Sequence, residues 1–242
     1  MSDENTVHKG VLMTKYTAFF MVLFSAAAAF SGPSYDIGIY LGGTASSVEA
    51  TKMPSGINVT DSKWKGYVTF GVNGEVLLNE YFGAGIGVAY EKRGGVLAGN
   101  FSWGAWTLFT GEFEYDYTYL QIPVYLKAKI PLMIPGGVFI TLGPEMGIKL
   151  ESEFTVRNNT LNVSSVDKSD SLATAVDFGL SGTVGYDLPI SWWGGIRLFG
   201  GFYYGFLDAY ENKTTGTSDQ NIFHRAFKYG LSLYVNINAV RR

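Results

Sequence analysis

The sequence predicts an all-β protein, an eight-stranded antiparallel up-and-down transmembrane β-barrel that follows an N-terminal signal peptide. Three observations predict it. Apolar and polar residues alternate at period two in eight segments, which is the signature of strands with two unlike faces. The connections between these segments run long, short, long, short, as in a barrel with loops on one side of a membrane and turns on the other. Charged residues make up only 16% of the chain, against roughly 25% in soluble domains. Such a surface is built for more than water.

The first element is an address. Lys9 and Lys15 precede the charge-free run 16–30, which ends in Ala26-Ala27-Ala28-Ala29. A basic flank, a short apolar core and small residues at the end define a signal peptide over residues 1–29, cut after Ala29, with Met13 as an alternative start. Residues 30–242 then form one domain, a size usual for a single barrel. The mean hydropathy of +0.10 is too low for a bundle of membrane helices. No later run reaches the 18 or so apolar residues of a helical span, so any crossing must be made by strands.

The segments follow in order. Segment 35–43 sets Ile37, Ile39 and Leu41 against Asp36, Gly38 and Tyr40, and a polar loop runs to Lys63. Segment 64–78 sets Val68, Phe70, Val72 and Val76 against Lys65, Tyr67, Thr69, Asn73 and Glu75. A turn at Asn79-Glu80 leads into 82–92, where Phe82, Ile86 and Val88 alternate with Gly83, Gly85, Gly87 and Glu91. The connection 93–114 carries Phe101, Trp103, Trp106 and Phe109, and either lies at the interface or prolongs its strands.

Segment 115–130 is the clearest. Leu120, Ile122, Val124, Leu126, Ala128 and Ile130 share one face, with Gln121, Tyr125, Lys127 and Lys129 on the other. Pro123 lacks a backbone donor and must sit where the ladder tolerates its loss. In segment 138–154, Ile140, Leu142, Met146, Ile148 and Leu150 oppose Thr141, Glu145, Lys149 and Glu151. A polar loop at 155–171 follows, then segment 172–186 with Val176, Phe178, Leu180 and Val184 against Asp177, Ser181 and Thr183. After Trp192-Trp193, Ile196, Leu198, Phe202 and Tyr204 oppose Arg197 and Tyr203, and a last polar loop spans 208–224. Segment 225–239 closes the set, with Phe227, Tyr229, Leu231, Leu233 and Val235 against Lys228, Ser232, Tyr234 and Asn236.

Which face points inward decides the class. With apolar faces inward the chain would be a soluble, lipocalin-like ligand-binding barrel. Low charge and aromatics near strand ends, including Trp64, Tyr81, Tyr90, Trp192, Trp193, Tyr204 and Tyr210, favour apolar faces turned to lipid between two aromatic girdles. The polar faces then line the lumen. Eight strands leave room only for side chains, so Glu75, Glu91, Lys127, Glu145, Lys149, Asp177, Arg197 and Lys228 are expected to pair across it as an interior charge network. Such a lumen is plugged and is no wide channel.

Little points to chemistry. His8 leaves with the signal, and His224, near Ser218 and Asp219, is expected to be a solvated loop residue. Glu112, Glu114 and Asp116 alternate near a strand end and are expected to be a solvated extension in preference to a cation site. The glycines of Gly83-Ala84-Gly85-Ile86-Gly87 lead to no helix, so they cradle no phosphate. Absence of Cys removes disulfides, thiolate nucleophiles and thiolate metal sites. A net charge of −3 without a basic block excludes nucleic acid as a partner. We therefore expect no catalytic residue, metal or cofactor.

The stretch Tyr119-Leu120-Gln121-Ile122-Pro123-Val124-Tyr125-Leu126-Lys127 resembles the Tyr-Leu-Glu-Ile-Pro-Leu-Leu-Leu-Lys strand of PorT-like outer-membrane barrels, which share the architecture of the OmpX and OmpA membrane domains. Phe82 to Tyr90 and Leu142-Gly143-Pro144-Glu145 are similar to the same group. Two departures stand out: Gln121 replaces an acid, and the chain ends Asn238-Ala239-Val240-Arg241-Arg242 where an aromatic residue is usual. The resemblance implies a bacterial outer-membrane location, a lipid environment and insertion by the outer-membrane assembly machinery. On this reading the protein is a monomer with a structural or loop-mediated adhesion role toward an extracellular or envelope protein. A narrow porin-like channel for small solutes is the alternative on the same fold.

Overall fold

The computed structural model describes residues 33–52, 57–103, 106–132, 134–158, 163–167, 175–207 and 221–237. The predicted signal peptide, Tyr210, Ser218 and Asp219 lie outside them. The strands are β1 (Ser34–Lys52), β2 (Ile57–Lys63), β3 (Lys65–Leu77), β4 (Phe82–Trp103), β5 (Trp106–Pro131), β6 (Gly137–Asn158), β7 (Val163–Asp167), β8 (Val176–Ser191), β9 (Gly194–Gly205) and β10 (Asn221–Asn236). Antiparallel pairing runs β1–β3–β4–β5–β6–β8–β9–β10 and returns to β1, which closes a ring of eight strands. The remaining two, β2 and β7, pair with the outer halves of β4 and β6.

Side chains alternate across this wall with the apolar face outward. Along β6, Phe139, Thr141 and Glu145 are buried, whereas Ile140, Leu142, Met146, Ile148 and Leu150 are exposed. From Ile140 to Leu150 a tilted strand climbs about 25 Å, the height of the apolar band of an outer-membrane barrel. Ile37, Ile39, Leu41, Val68, Phe70, Val124, Leu126, Leu198 and Leu231 continue the band around the ring. This overturns the soluble reading, because no water-facing sheet exposes its aliphatic rows on every strand while burying its charges.

Short turns join β3 to β4, β5 to β6 and β8 to β9 on one side. In the first, Asn79 Oδ1 accepts the backbone N–H groups of Tyr81 at 2.8 Å and Phe82 at 2.7 Å, an Asx turn. The second closes through Gly136, whose φ of 117° suits glycine alone. Ser34 pairs with Leu77 and Asp36 with Asn236, so both described ends lie on this turn side, the periplasmic side of such barrels. Pro123 sits beside Gly87 where the β4–β5 ladder is interrupted, between the Ile86↔Val124 and Ala89↔Gln121 pairs. Its missing donor therefore breaks no ladder bond with β4.

On the opposite side the strands outrun the membrane. Of the two readings of segment 93–114, the structure has the prolonged strands: 93–103 and 106–114 are the paired outer halves of β4 and β5, from Arg93↔Tyr117 to Trp103↔Trp106, with one register shift between Phe101 and Ser102. The loop expected before Lys63 contains β2, and the one expected at 155–171 contains β7 and the end of β6. The physical reason is an inversion of polarity. Above the band, Val48, Leu97, Phe113, Tyr115 and Ile222 point inward and are buried, while outward positions carry Lys63, Glu112, Glu114 and Asp116. A search for apolar outward faces stops where the lipid stops.

One irregularity changes a predicted face. Across β5 and β6, Tyr119 pairs with Lys149 but Thr118 pairs with Glu151, so Leu150 is an extra residue, a β-bulge. It flips the phase of β6: Glu145 is buried before it and Ser152 after it. Glu151, expected inside, is consequently exposed, and Lys149 is only half-buried.

Candidate functional site: the barrel lumen

Every strand of the ring contributes inward polar side chains, and these gather into two layers. In the periplasmic layer, Arg197 on β9 reaches Asp36 at 2.6 Å and Glu75 at 3.0 Å. Asp36 and Glu75 stand directly opposite on β1 and β3, a like-charged pair that would repel without a shared cation. Lys127 meets Glu75 at 2.7 Å, and Lys129 meets Asp187 at 2.9 Å. Neutral donors complete the layer: Tyr125 gives its hydroxyl hydrogen to Glu75 at 2.9 Å and Asn236 its amide to Asp36 at 2.9 Å. The Arg197 guanidinium lies 4.0 Å from the Tyr234 ring centroid.

The outer layer is organised on Arg93, which is fully buried. Its Nε donates to Glu91 at 2.6 Å, one terminal nitrogen donates to Glu145 and the other to Asp177 at 3.2 Å. Three carboxylates thus share one planar fork, a geometry that a point-charged lysine cannot reproduce. Lys228 crosses from β10 to Glu91 at 2.9 Å and Glu145 at 2.6 Å. Tyr203 places its ring 3.5 Å from the Arg93 guanidinium carbon.

Between the layers lies a chamber of about 120 Å³, lined by Tyr40, Thr69, Gln121, Thr141, Ser181 and Ser232 among others. Beyond the outer layer the lumen turns aromatic. Tyr115, Tyr117 and Tyr119 stack along β5, and Val48, Leu97, Phe113 and Ile222 pack with them into a closed core. His224 sits at the junction, fully buried, with Nε2 3.2 Å from the Tyr119 hydroxyl and its ring edge-on to Tyr117. The expectation of a solvated loop histidine is therefore corrected. His224 belongs to β10, whose inward phase carries it under the aromatic cap.

Of the predicted network, Glu75, Lys127 and Arg197 meet in the periplasmic layer, and Glu91, Glu145, Asp177 and Lys228 meet in the outer one. Lys149 stands apart from these pairs in position, half-buried at the bulge. The sequence reading missed Asp36, Arg93, Lys129 and Asp187 as members. Asp36 and Lys129 were on the predicted inward faces, so the parity signal was present. Arg93 and Asp187 fell just past the strand ends drawn from apolar neighbours.

Glu112, Glu114 and Asp116 lie on the outer surface of the extension, each paired with a cation. Lys63 meets Glu112 at 2.6 Å, Lys65 meets Glu114 and lies 2.7 Å from Asp116, and Arg157 is 2.9 Å from Glu114. The hydrogen bond to Glu112 holds the Lys63 ammonium above its ordinary pKa. Among the described residues no group of three or more His, Asp or Glu side chains could hold a metal ion.

Several solved outer-membrane proteins are similar to this chain. OprG from Pseudomonas aeruginosa is 11% identical, with 86% of this chain and 98% of that one covered and a TM-score of 0.44. Ail of Yersinia pestis, solved with the heparin analogue sucrose octasulfate, is 13% identical over 83% and 98%, with a TM-score of 0.40. Neisserial surface protein A is 11% identical over 85% and 99%, at 0.39. No curated protein matches the chain significantly. The model of the outer membrane protein beta-barrel domain matches residues 31–211, and with a closed ring of antiparallel strands that turns aliphatic rows outward, the chain belongs to the outer membrane protein β-barrel family of the bacterial outer membrane.

Proposed function

We propose that this protein is a plugged, non-enzymatic barrel, of the PorT-like kind, that acts as a monomer through its outer extension and loops by adhesion or contact with another envelope or extracellular protein. The observation that carries the reading is the filled lumen. Two layers of ion pairs and an aromatic core lie in series along it, so an ion crossing the barrel would have to displace paired charges and then enter an apolar plug. Separating a buried pair costs several kcal/mol for each exposed charge. Structure is thereby concentrated outside the membrane, where β4 and β5 continue to Trp103 and Trp106. The single histidine of the barrel is sealed beneath the aromatic cap, away from any substrate, which supports a role without catalysis.

Reconstitution into planar bilayers tests this. The expected outcome is no steady conductance and no swelling of liposomes in small sugars. A stable open level, abolished by blocking the lumen, would instead establish the narrow channel, with the 120 Å³ chamber as its waist.

A further inference from the structure

The two polar layers of the lumen differ in their charge sums. In the periplasmic layer three carboxylates, Asp36, Glu75 and Asp187, meet three cations, Lys127, Lys129 and Arg197. In the outer layer three carboxylates, Glu91, Glu145 and Asp177, share two cations among the described residues, Arg93 and Lys228. None of the six carboxylates is more than 6% exposed. Lys149 stands at the bulge, outside both layers. His224 does not make up the difference, because burial in the extension, level with Val48, pushes its pKa down to about 4 and leaves it neutral. One negative charge is therefore left over in the outer layer, and a buried charge needs a partner.

The chamber between the layers is the place for one. At about 120 Å³ it has room for roughly four water molecules. Glu91 and Glu145 line it, and with them a set of oxygens whose hydrogens are already spent. Thr69 Oγ1 donates to the Tyr90 carbonyl at 3.2 Å, and Ser181 Oγ donates to the Gly143 carbonyl at 3.4 Å. A hydroxyl has one hydrogen and two lone pairs, so these two offer the chamber lone pairs alone. Ser232, only 4% exposed, lines the same space, and its Oγ has no hydrogen-bond partner among the described residues.

Lone pairs beside an excess carboxylate select the occupant. An anion would meet repulsion from both. Hard cations take oxygen ligands, and a single excess charge asks for a single positive one. A divalent ion would reverse the imbalance instead of cancelling it, and no group of three or more His, Asp or Glu side chains among the described residues is arranged to hold one. We propose that the chamber binds one monovalent alkali cation, sodium or potassium, held directly or through water by the hydroxyl oxygens of Thr69, Ser181 and Ser232 on the side of Glu91 and Glu145. The site needs only the fold, and it stands whether or not the barrel conducts.

The mature barrel, refolded into phosphatidylcholine vesicles, is unfolded in urea at neutral pH and constant ionic strength in sodium, potassium or N-methylglucamine chloride. The folding constant should be at least tenfold larger in one of the alkali salts than in N-methylglucamine, and its rise with alkali concentration should saturate as for one site. Gln121 also lines the chamber. Gln121→Lys would set an ammonium there, and this variant should unfold alike in all three salts. Thallium(I) nitrate, a heavy stand-in for potassium, should give one anomalous peak between the Arg93 and Arg197 layers when soaked into crystals of the unaltered protein. Equal unfolding of the unaltered protein in the three salts would overturn the proposal, since a proton on one carboxyl would then balance the charge. A salt dependence that survives in Gln121→Lys, shown to be folded by its heat-dependent gel shift, would assign the ion to exposed carboxylates such as Glu112 and overturn the site. Should Gln121→Lys fail to fold, the thallium peak decides, and its absence from the lumen overturns the proposal.

Discussion

Arg93 shows how much of the lumen depends on one side chain. Its guanidinium is the shared donor for Glu91, Glu145 and Asp177, all of them buried. Removing it leaves three carboxylates out of water with Lys228 as the described cation nearest two of them. Breaking a buried pair by deleting one partner costs about 3–5 kcal/mol, so Arg93→Met should lower unfolding stability by at least that range in urea titrations of the lipid-reconstituted barrel. Arg93→Lys should recover only part, since an ammonium cannot span three carboxylates in one plane. Full recovery by lysine would show that charge alone matters. The periplasmic layer offers the complementary test. Lys127→Met should destabilise strongly because Glu75 is then left with fewer counter-charges, while Lys127→Met combined with Glu75→Gln should destabilise less than Lys127→Met alone. The sign of that double-mutant coupling separates a compensated pair from two independent polar residues.

At the scale of the element, β5 holds the rule of the whole wall. From Phe113 to Lys127 its odd-numbered residues face inward: Phe113, Tyr115, Tyr117 and Tyr119 above, Gln121 and Lys127 below. Over this span the backbone parity holds, but the chemistry changes. Outside the membrane the lumen is the dry side, and inside it the lipid is. Leu97→Ala, in the core of the extension, should therefore behave like a soluble core truncation and cost about 2–5 kcal/mol. Hydrogen exchange should rise in the outer halves of β4 and β5 and stay unchanged in the membrane halves, and a uniform rise along both strands would contradict this division. The same inversion explains what the sequence made legible. Leu120 to Ile130 could be read directly because lipid sets one side of the alternation. Residues 93–114 read only as a connection that either lies at the interface or prolongs its strands, because beyond the lipid the apolar side chains, such as Leu97 and Phe113, are on the inward face. Nothing local marks Leu150 as a bulge, because a leucine continues the outward row whether or not the pairing slips there. His224 was lost for a related reason: its strand neighbours Asn221, Arg225 and the polar loop before them read as solvent.

For the molecule as a whole, the outward apolar band implies that stability depends on depth in the bilayer. Met146 is 38% exposed near the middle of the band from Ile140 to Leu150, and its neighbours in the row, Ile122 and Phe178, are apolar as well. A lysine there must place its ammonium among acyl chains, whereas the lumen offers no alternative because side chains on this parity cannot turn inward. The cost for a lysine at the midplane of such a barrel is about 2–4 kcal/mol, falling to near zero at the interfaces. Met146→Lys should thus lower unfolding stability in lipid by about that amount. Ile190→Lys, at the turn edge beside Trp192 and Trp193, should cost far less although Ile190 is the more exposed, at 65%. A barrel surrounded by water would tolerate both substitutions alike, since an exposed lysine there is harmless at either site. The comparison uses two substitutions of the same chemistry on the same face, so a difference between them reports depth alone. Equal effects at Met146 and Ile190 would mean that the band from Ile140 to Leu150 does not face lipid.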